Sequence, residues 1–525
     1  MANKYRGSKG KFPKDDKTAT PSSATMDSDS AVRTSRRSRG GNEPSSRTSF
    51  DPSDWMVSSE EIARGVASLS FNTAVGNKLD YGSDQINGER FMSVPGIMSL
   101  VYLPTPGISK DRTSAVNLAA RSVYSFIRHA NSGHSNYDAP DLMMYLLGMD
   151  SLFAYLSWLK RIYGYLNLYS QYNRYVPRGL IEANGVDFDS LIGDPARFRT
   201  SINLLLQAAG SLVVPNTMGF MKKHLWMTSN CYLDEMSVKA QMYQFVPEGY
   251  WIYDEKSGPG QMTFKQTWNA SPLLKLDDLI KIGHSILDPM VGSEDINIMS
   301  GDILKAYGEA GVIRLTLIPE EFVVVPMYNA SALNMIQNAT LLDGVIDYTK
   351  SKITQDATTG ANGGSILFDP VMASTSGGTL GHLFTNGNRF LTFHKDDIGP
   401  RDIITATAGM VCTTGTGSAL HIRSCGSEIF RFALITKFTT SNKVWGLSHT
   451  VSQGYVSQLG ELASVNSFLT YTADMNFFND HPMQMAYTLQ DIGGRSVAQV
   501  MSINMDIDNY AVVSPTTLDN IHDST

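Results

Sequence analysis

A long apolar segment begins after Asp138 and constrains the fold more than any other part of the sequence. Asp138 is a suitable N-cap for a helix. Pro140 and Asp141 stand in the first turn, where a missing N–H donor and a negative charge are both favourable. Apolar side chains then recur with a helical period, at Leu142, Leu146, Met149, Phe153, Leu156 and Tyr163. The pattern predicts a helix to about Tyr172. Because this helix is apolar on nearly every side, it should be buried.

The same segment is long enough to suggest a membrane span over residues 142–159. Asp150 stands at its centre, however, and Ser151 and Ser157 are polar as well. An ionised side chain in the middle of a bilayer is costly. We therefore predict the core helix of a folded domain and no membrane span.

Helical patterns extend on both sides of this segment, from residue 112 to residue 245. Thr113 or Ser114 is placed to cap a helix that ends near Ala130, because small hydroxyl side chains accept hydrogen bonds from the free N–H groups of a first turn. Further helices are predicted over residues 189–209, 217–227 and 235–245.

From about residue 246 the sequence changes to glycine, threonine and short β-branched runs, which predict strands. Two helices, near 276–286 and 300–310, interrupt this region, and residues 354–388 have the composition of long loops. The predicted strands cover residues 312–318 and 322–325, an alternation around Phe430, Phe432 and Leu434, and a second alternation at Met501, Ile503, Met505 and Ile507.

One further apolar run is interrupted by prolines, Ser93-Val-Pro-Gly-Ile-Met-Ser-Leu-Val-Tyr-Leu-Pro-Thr-Pro-Gly107. Proline cannot donate a hydrogen bond to a neighbouring strand, so it is usually confined to the edges of sheets. We therefore expect any strand in this run to lie at a sheet edge.

The first 48 residues carry a net charge of +6, whereas the remaining 477 carry −13. Between Thr18 and Ser49, 14 of 32 residues are Ser or Thr, so apolar groups are too few to offset the entropy of ordering. Residues 1–54 are therefore predicted to be a disordered basic arm. Flexible cations bind phosphate without reading sequence. The candidate RNA-binding residues are Lys4, Arg6, Lys9, Lys11, Lys14, Lys17, Arg33, Arg36, Arg37, Arg39 and Arg47.

The charge of the arm limits what it can do. A nucleic-acid duplex carries one charge per ~1.7 Å, so one arm neutralises only about 10 Å of it. A single arm cannot condense a genome, but many arms around a shell can tether one. A solubilising tail and a nuclear localisation signal remain the alternatives at this point.

Signatures of enzymes are missing from the sequence. It contains no phosphate-binding loop, dinucleotide glycine pattern, His-Glu-x-x-His motif or nucleophile elbow. His129 and His134, with Asp138 and Asp141 close behind, are conceivable as a metal or catalytic site. A polar turn between two helices is the simpler interpretation. We therefore predict no catalytic residue, no metal, no cofactor and no small-molecule substrate.

The three cysteines, Cys231, Cys412 and Cys425, are scattered and lack the spacing of a disulfide framework or a zinc site. They are predicted to be buried, reduced thiols.

Several short segments resemble one protein family. They are Ser93-Val-Pro-Gly-Ile-Met98, Pro104-Thr-Pro-Gly107, Arg128-His-Ala-Asn-Ser-Gly-His134, Asp138-Ala-Pro-Asp141 and Met149-Asp-Ser151. Together with the basic arm and the chain length, they resemble the capsid proteins of picobirnaviruses, whose genome is double-stranded RNA. The resemblance is strongest over residues 90–245 and weak after residue 250.

The resemblance implies an α+β chain with a predominantly α-helical shell domain, an inserted strand-rich protruding domain and a disordered basic N-terminal arm. We expect the arm in residues 1–54, the shell in 55–245 and 450–525, and the protrusion in 246–449. It further implies homodimers that close into an icosahedral shell around the double-stranded RNA genome. The protein would then be located in the virion, which is assembled in the host cytoplasm.

Two other functions stay open on the residues alone. A nucleoprotein that coats RNA without a shell would need a basic groove in its folded part, which the acidic body disfavours. An enzyme with an unfamiliar site would bring His129, His134 and Asp138 together in a pocket, with displaced pKa values.

Overall fold

The structure is a computed structural model. It describes residues 59–68, 78–80, 91–93, 95–131, 136–168, 176–237, 240–254, 260–269, 271–342, 346–356, 364–372, 388–414, 421–424, 426–439, 444–451, 477–482, 485–492, 495–503 and 509–524. The chain forms two units, Met1–Phe71 and Asn72–Thr525. In the first unit, helix α1 (Glu60–Ala67) is exposed along its length and carries an Arg64–Glu60 ion pair of 2.6 Å.

The second unit contains both helices and sheets. Its described helices are α2 (Ala115–Ala130), α3 (Ala139–Leu166), α4 (Val176–Glu182), α5 (Phe188–Ile192), α6 (Pro195–Ala209), α7 (Gly219–Ser229), α8 (Leu276–Val291), α9 (Glu294–Tyr307), α10 (Ala330–Gln337), α11 (Pro400–Thr407) and α12 (Pro515–Ser524).

The strands are short in the middle of the chain and longer towards its end. They are β1 (Lys78–Asp80), β2 (Phe91–Ser93), β3 (Pro95–Pro104), β4 (Val214–Pro215), β5 (Tyr232–Leu233), β6 (Met242–Pro247), β7 (Gly249–Asp254), β8 (Gln261–Gln266), β9 (Val312–Ile313), β10 (Met327–Tyr328), β11 (Ile353–Gln355), β12 (Ile366–Leu367), β13 (Arg389–Thr392), β14 (Val411–Thr414), β15 (His421–Ser424), β16 (Glu428–Thr439), β17 (Val444–Val451), β18 (Met485–Ile492), β19 (Arg495–Ile503) and β20 (Tyr510–Val513).

Helix α3 is the centre of the largest hydrophobic core. Helices α2, α6, α7 and α8 and strand β7 pack around it. Of its residues, 139–159 and 161–165 are buried except for Pro140 and Asp141, as expected for a helix that is apolar on nearly every side. The helix is long and apolar enough to cross a membrane, but its most apolar stretch is fully buried inside the protein.

The helix ends at Leu166, earlier than the predicted Tyr172, and residues 169–175 lie outside the described part of the chain. Its last turn packs closely against a surface segment. A Cβ atom at Gly164 would lie 2.5 Å from Cγ2 of Val324, so only glycine permits this approach.

The largest sheet among the described residues has six strands, in the order β10-β5-β6-β3-β16-β17. Strand β3 pairs in parallel with β6 and antiparallel with β16, so it lies inside the sheet. The expectation of an edge strand is therefore wrong. Pro95 and Pro104 stand at the two ends of β3, so the residues from Ile97 to Tyr102 are free to pair with both neighbours.

Two predicted helices differ from the structure. The helix predicted over 189–209 is split into α5 and α6, because Asp194 caps a new helix, accepting from the Arg197 backbone N–H at 3.0 Å, and Pro195 follows it. The helix predicted over 235–245 is wrong. Among its described residues, 235–237 bend, and from Met242 the chain forms strand β6, where pairing with β3 overrides the local helical preference.

The other predicted helices are confirmed with shifted ends, whereas the predicted strands are confirmed only in part. Helix α2 starts after Ser114 as expected, but the Ser114 hydroxyl accepts from the backbone N–H groups of Lys110 and Asp111 and not from the first turn of the helix. Helix α7 covers most of the predicted 217–227, and α8 and α9 replace the predicted 276–286 and 300–310. Of the predicted strand 312–318 only β9 is paired, and residues 322–325 are not in a strand. The alternation around Phe430 forms β16, and that at Met501 and Ile503 falls in β19, while 504–508 are outside the described residues.

Candidate functional site

The structure does not describe the arm. All of its candidate RNA-binding cations, from Lys4 to Arg47, fall outside the described residues. Their assignment therefore stays a prediction from the sequence.

The conceivable metal site is only partly described, because His134 lies outside the described residues. Asp138 and Asp141 act as a helix start: the Asp138 backbone N–H donates to Oδ2 of Asp141 at 2.9 Å. The second Asp141 oxygen accepts from the Gln355 side chain at 2.8 Å. Within the described ranges, no group of three or more His, Cys, Asp or Glu side chains is arranged to hold a metal ion.

Two of the three cysteines are described, and both are free and buried. Burial raises the pKa of the Cys231 and Cys412 thiols to about 11, so they are protonated and unreactive near neutral pH. This agrees with the predicted reduced, buried thiols. Cys425 lies outside the described residues.

A buried group of charged side chains joins α3, α7 and the start of β16. His224 lies at its centre and is fully buried, with Nδ1 2.7 Å from Oδ2 of Asp150. Its Nε2 is 3.2 Å from the Ser427 carbonyl oxygen and 3.7 Å from Oε1 of Glu428. Lys223 Nζ contacts the other Glu428 oxygen at 2.7 Å. We call Asp150, Lys223, His224 and Glu428 the charge cluster.

In the charge cluster, the neighbouring charges affect the pKa values more strongly than burial does. Burial by itself would lower the pKa of His224, but Asp150 and then Glu428 raise it above its ordinary value. Burial would raise the pKa of Glu428, but Lys223 and His224 hold it below its ordinary value. Each buried group of the cluster thus lies beside a group that can carry the opposite charge, which is the condition for tolerating buried charge.

A second buried cation, Arg161, lies further along α3 and is contacted by neutral groups. Its guanidinium donates to the side-chain oxygen of Asn184 at 2.8 Å and to the Phe245 carbonyl oxygen at 2.7 Å. It also donates to the carbonyl oxygens of Met227 and Asn230, both at 3.2 Å. Arg161 thus ties α3 to α7, to β6 and to the loop that follows α4.

Both arrangements hold elements together, because their polar atoms are directed at one another and at backbone groups inside the core. Asp150 stands out in the sequence as a polar residue in an apolar helix, but its partners are not indicated by any residue spacing. A weak signal was present in Lys222-Lys223-His224, a basic triplet within the otherwise apolar helix α7.

A different feature lies on the surface, where residues 315–328 form a mostly irregular segment with a turn at residues 320–321. Phe322 and Val324 are directed towards the core, while Val323 and Val325 are exposed. The exposed fractions are 49% for Leu317, 41% for Val323, 66% for Val325, 45% for Met327 and 46% for Tyr328. We call these five residues the apolar ridge. It ends in β10, the edge strand of the six-stranded sheet.

The fold matches that of a known viral capsid protein. A crystal structure of the picobirnavirus capsid superposes with a TM-score of 0.74, covering 90% of this chain and 97% of that one at 21% identity. The sequence profile of the picobirnavirus capsid protein family matches residues 55–411. The chain belongs to the picobirnavirus capsid protein family, as the segments between residues 93 and 151 had indicated.

A similar protein is the capsid protein precursor of a human picobirnavirus (strain Human/Thailand/Hy005102/-), 32% identical over 333 residues. The match covers 60% of this chain and 60% of that relative. Capsid proteins are a structural family, and this chain is a member of it.

Proposed function

We propose that the chain is a coat subunit that associates with copies of itself, first as homodimers, and closes into an icosahedral shell around double-stranded RNA. The observation that carries the proposal is the family match over residues 55–411. In this proposal the arm contacts RNA phosphates, the subunit resides in the virion, and particles assemble in the host cytoplasm.

We also propose how the chain is divided in the particle. The shell consists of residues 55–245 and 450–525, and the protruding domain lies within 246–449. The change of composition at residue 246 supports the first boundary. The pairing of β16 (Glu428–Thr439) with β3 favours a return of the chain to the shell already at about residue 428, earlier than the second boundary.

The arm is tested by deletion of residues 1–48 from the full chain. Both proteins are expected to form closed shells in negative-stain electron microscopy, but RNA should co-purify only with the full chain. Cations that bind phosphates release counterions from the RNA, so RNA retention by the full chain should fall steeply as the salt concentration rises. A matched control keeps the length of the arm and replaces its Lys and Arg residues by Ser, and it should behave like the deletion.

Three outcomes would contradict parts of this proposal. If the full chain stays monomeric at every salt concentration and pH, the proposal that it forms a shell is rejected. RNA-coated filaments would favour a nucleoprotein. Equal RNA content in the particles of both proteins would leave the shell intact but reject the arm as the RNA-binding segment.

The apolar ridge is proposed as an interface between subunits. The change Val325→Asp places a charge on its most exposed residue, and burial of that charge in an interface is unfavourable. We expect the variant to remain folded by circular dichroism and to lose shell formation in sedimentation velocity. The control is Ile404→Asp on α11, where an isoleucine is 62% exposed. Full assembly of Val325→Asp would reject the ridge.

A further inference from the structure

Helix α7 and the turn that enters β16 are joined through a single imidazole ring. His224 Nδ1 lies 2.7 Å from an Asp150 oxygen, and Nε2 lies 3.2 Å from the Ser427 carbonyl oxygen. Both of these partners are acceptors of hydrogen bonds. An imidazole satisfies two acceptors only when both nitrogens carry a proton, which is the positively charged form.

The groups that face the ring come from every element packed around it. They are Asp150 on α3, Glu428 on β16 and Lys223 on α7 itself, with the Tyr102 ring of β3 at 6.3 Å between centroids. On deprotonation the ring keeps a single N–H. The Asp150 carboxylate is the stronger acceptor, so the remaining proton stays on Nδ1 and the hydrogen bond to the Ser427 carbonyl breaks.

We propose that His224 is a protonation-dependent latch that ties the turn before β16 to α3 and α7, so that alkaline conditions release this turn. Release leaves the Ser427 carbonyl facing a ring lone pair, and it leaves Glu428 opposite Lys223 alone. The turn also forms one wall of a cleft of about 640 Å³, lined in part by Ser424, Gly426, Ser427 and Phe220. The latch therefore controls the mobility of that wall.

The direction of the pH effect follows from the protonation of His224. Its pKa is raised above the ordinary value in the folded protein, mainly by Asp150 acting against burial. The contribution to stability is therefore fully present below the ordinary histidine pKa and is lost as the pH rises through the raised value. Acid acts on Glu428, whose pKa Lys223 and His224 hold below its ordinary value against the effect of burial, and not on this step.

The latch is tested by thermal unfolding of the full chain between about pH 6 and pH 9.5. The comparison is between the unchanged protein, His224→Gln and His284→Gln. His284 is a matched control because it pairs with Asp288 at 3.1 Å on the exposed face of α8. We expect His224→Gln to melt lower at pH 6 and to lose less Tm with rising pH, so that its curve approaches that of the unchanged protein. His284→Gln should follow the unchanged protein throughout.

Parallel curves for the unchanged protein and His224→Gln would overturn the latch. If His224→Gln does not fold, the latch is tested instead by hydrogen–deuterium exchange of the unchanged protein at pH 7 and pH 9. After correction for intrinsic rates, the peptide that contains Gly426 to Glu428 should lose protection several-fold more than the peptide of α8. An equal change in both peptides would equally reject the proposal. Both readouts compare proteins or peptides within the same sample conditions, so failure of the proposed function leaves this test interpretable.

Discussion

Replacement of Arg161 by methionine is expected to lower the free energy of unfolding by about 4 kcal/mol or more. The side chain is fully buried and donates to four oxygen atoms, on α7, on β6 and on the loops that follow α4 and α7. Methionine fits the apolar part of the space but donates to none of them. Each buried acceptor left without a partner costs roughly 1–3 kcal/mol.

Urea unfolding followed by tryptophan fluorescence measures this loss. Arg197→Met is the matched control, since Arg197 pairs with Asp277 at 2.5 Å on the exposed surface, where an ion pair contributes less than about 1 kcal/mol. If Arg161→Met unfolds at nearly the same urea concentration as Arg197→Met, the hydrogen bonds of Arg161 do not hold these elements together.

Replacement of Glu428 by alanine should be comparably severe. It leaves Lys223 and His224 buried or half-buried without their shared carboxylate, and breaking a buried pair in this way costs about 3–5 kcal/mol. Burial would raise the pKa of Glu428, but Lys223 and His224 depress it. Its contribution is therefore present above the ordinary glutamate pKa and is lost as the pH falls through the depressed value.

Glu428→Gln separates the charge from the shape of the side chain. Its Tm should depend less on pH than that of the unchanged protein in acid, between about pH 5 and pH 2. Glu309→Gln serves as the control, because Glu309 pairs with Arg314 at 2.6 Å on the exposed surface. If the Tm of Glu428→Gln and that of the unchanged protein fall identically with decreasing pH, Glu428 is not ionised in the folded protein.

The sequence predicts the elements whose signals are local. Helix α3 is recognisable because its period, its proline in the first turn and Asp138 all agree, and α2 begins where Ser114 suggests. Strand β6 is not recognisable in this way. Its residues suit a helix, and only pairing with β3, which is more than a hundred residues earlier, makes them a strand.

The candidate site likewise contains one residue that the sequence indicates and partners that it does not. Asp150 stands out in the sequence as a carboxylate in an apolar helix. Its partner His224 is 74 residues away, and Glu428 comes from a strand near the end of the chain, so no spacing rule connects the three. The exposure of the apolar ridge is likewise a tertiary property, since the same alternation at residues 322–325 suits a paired strand.

The position of β3 has a consequence for synthesis of the chain. Both neighbours of β3 come later, and β16 (Glu428–Thr439) is added only after most of the protein has left the ribosome. During that interval β3 has an unpaired edge, and pairings of such long sequence separation form slowly. The subunit therefore completes its six-stranded sheet only when translation is nearly finished. An incomplete chain lacks this finished sheet, whose edge carries the apolar ridge.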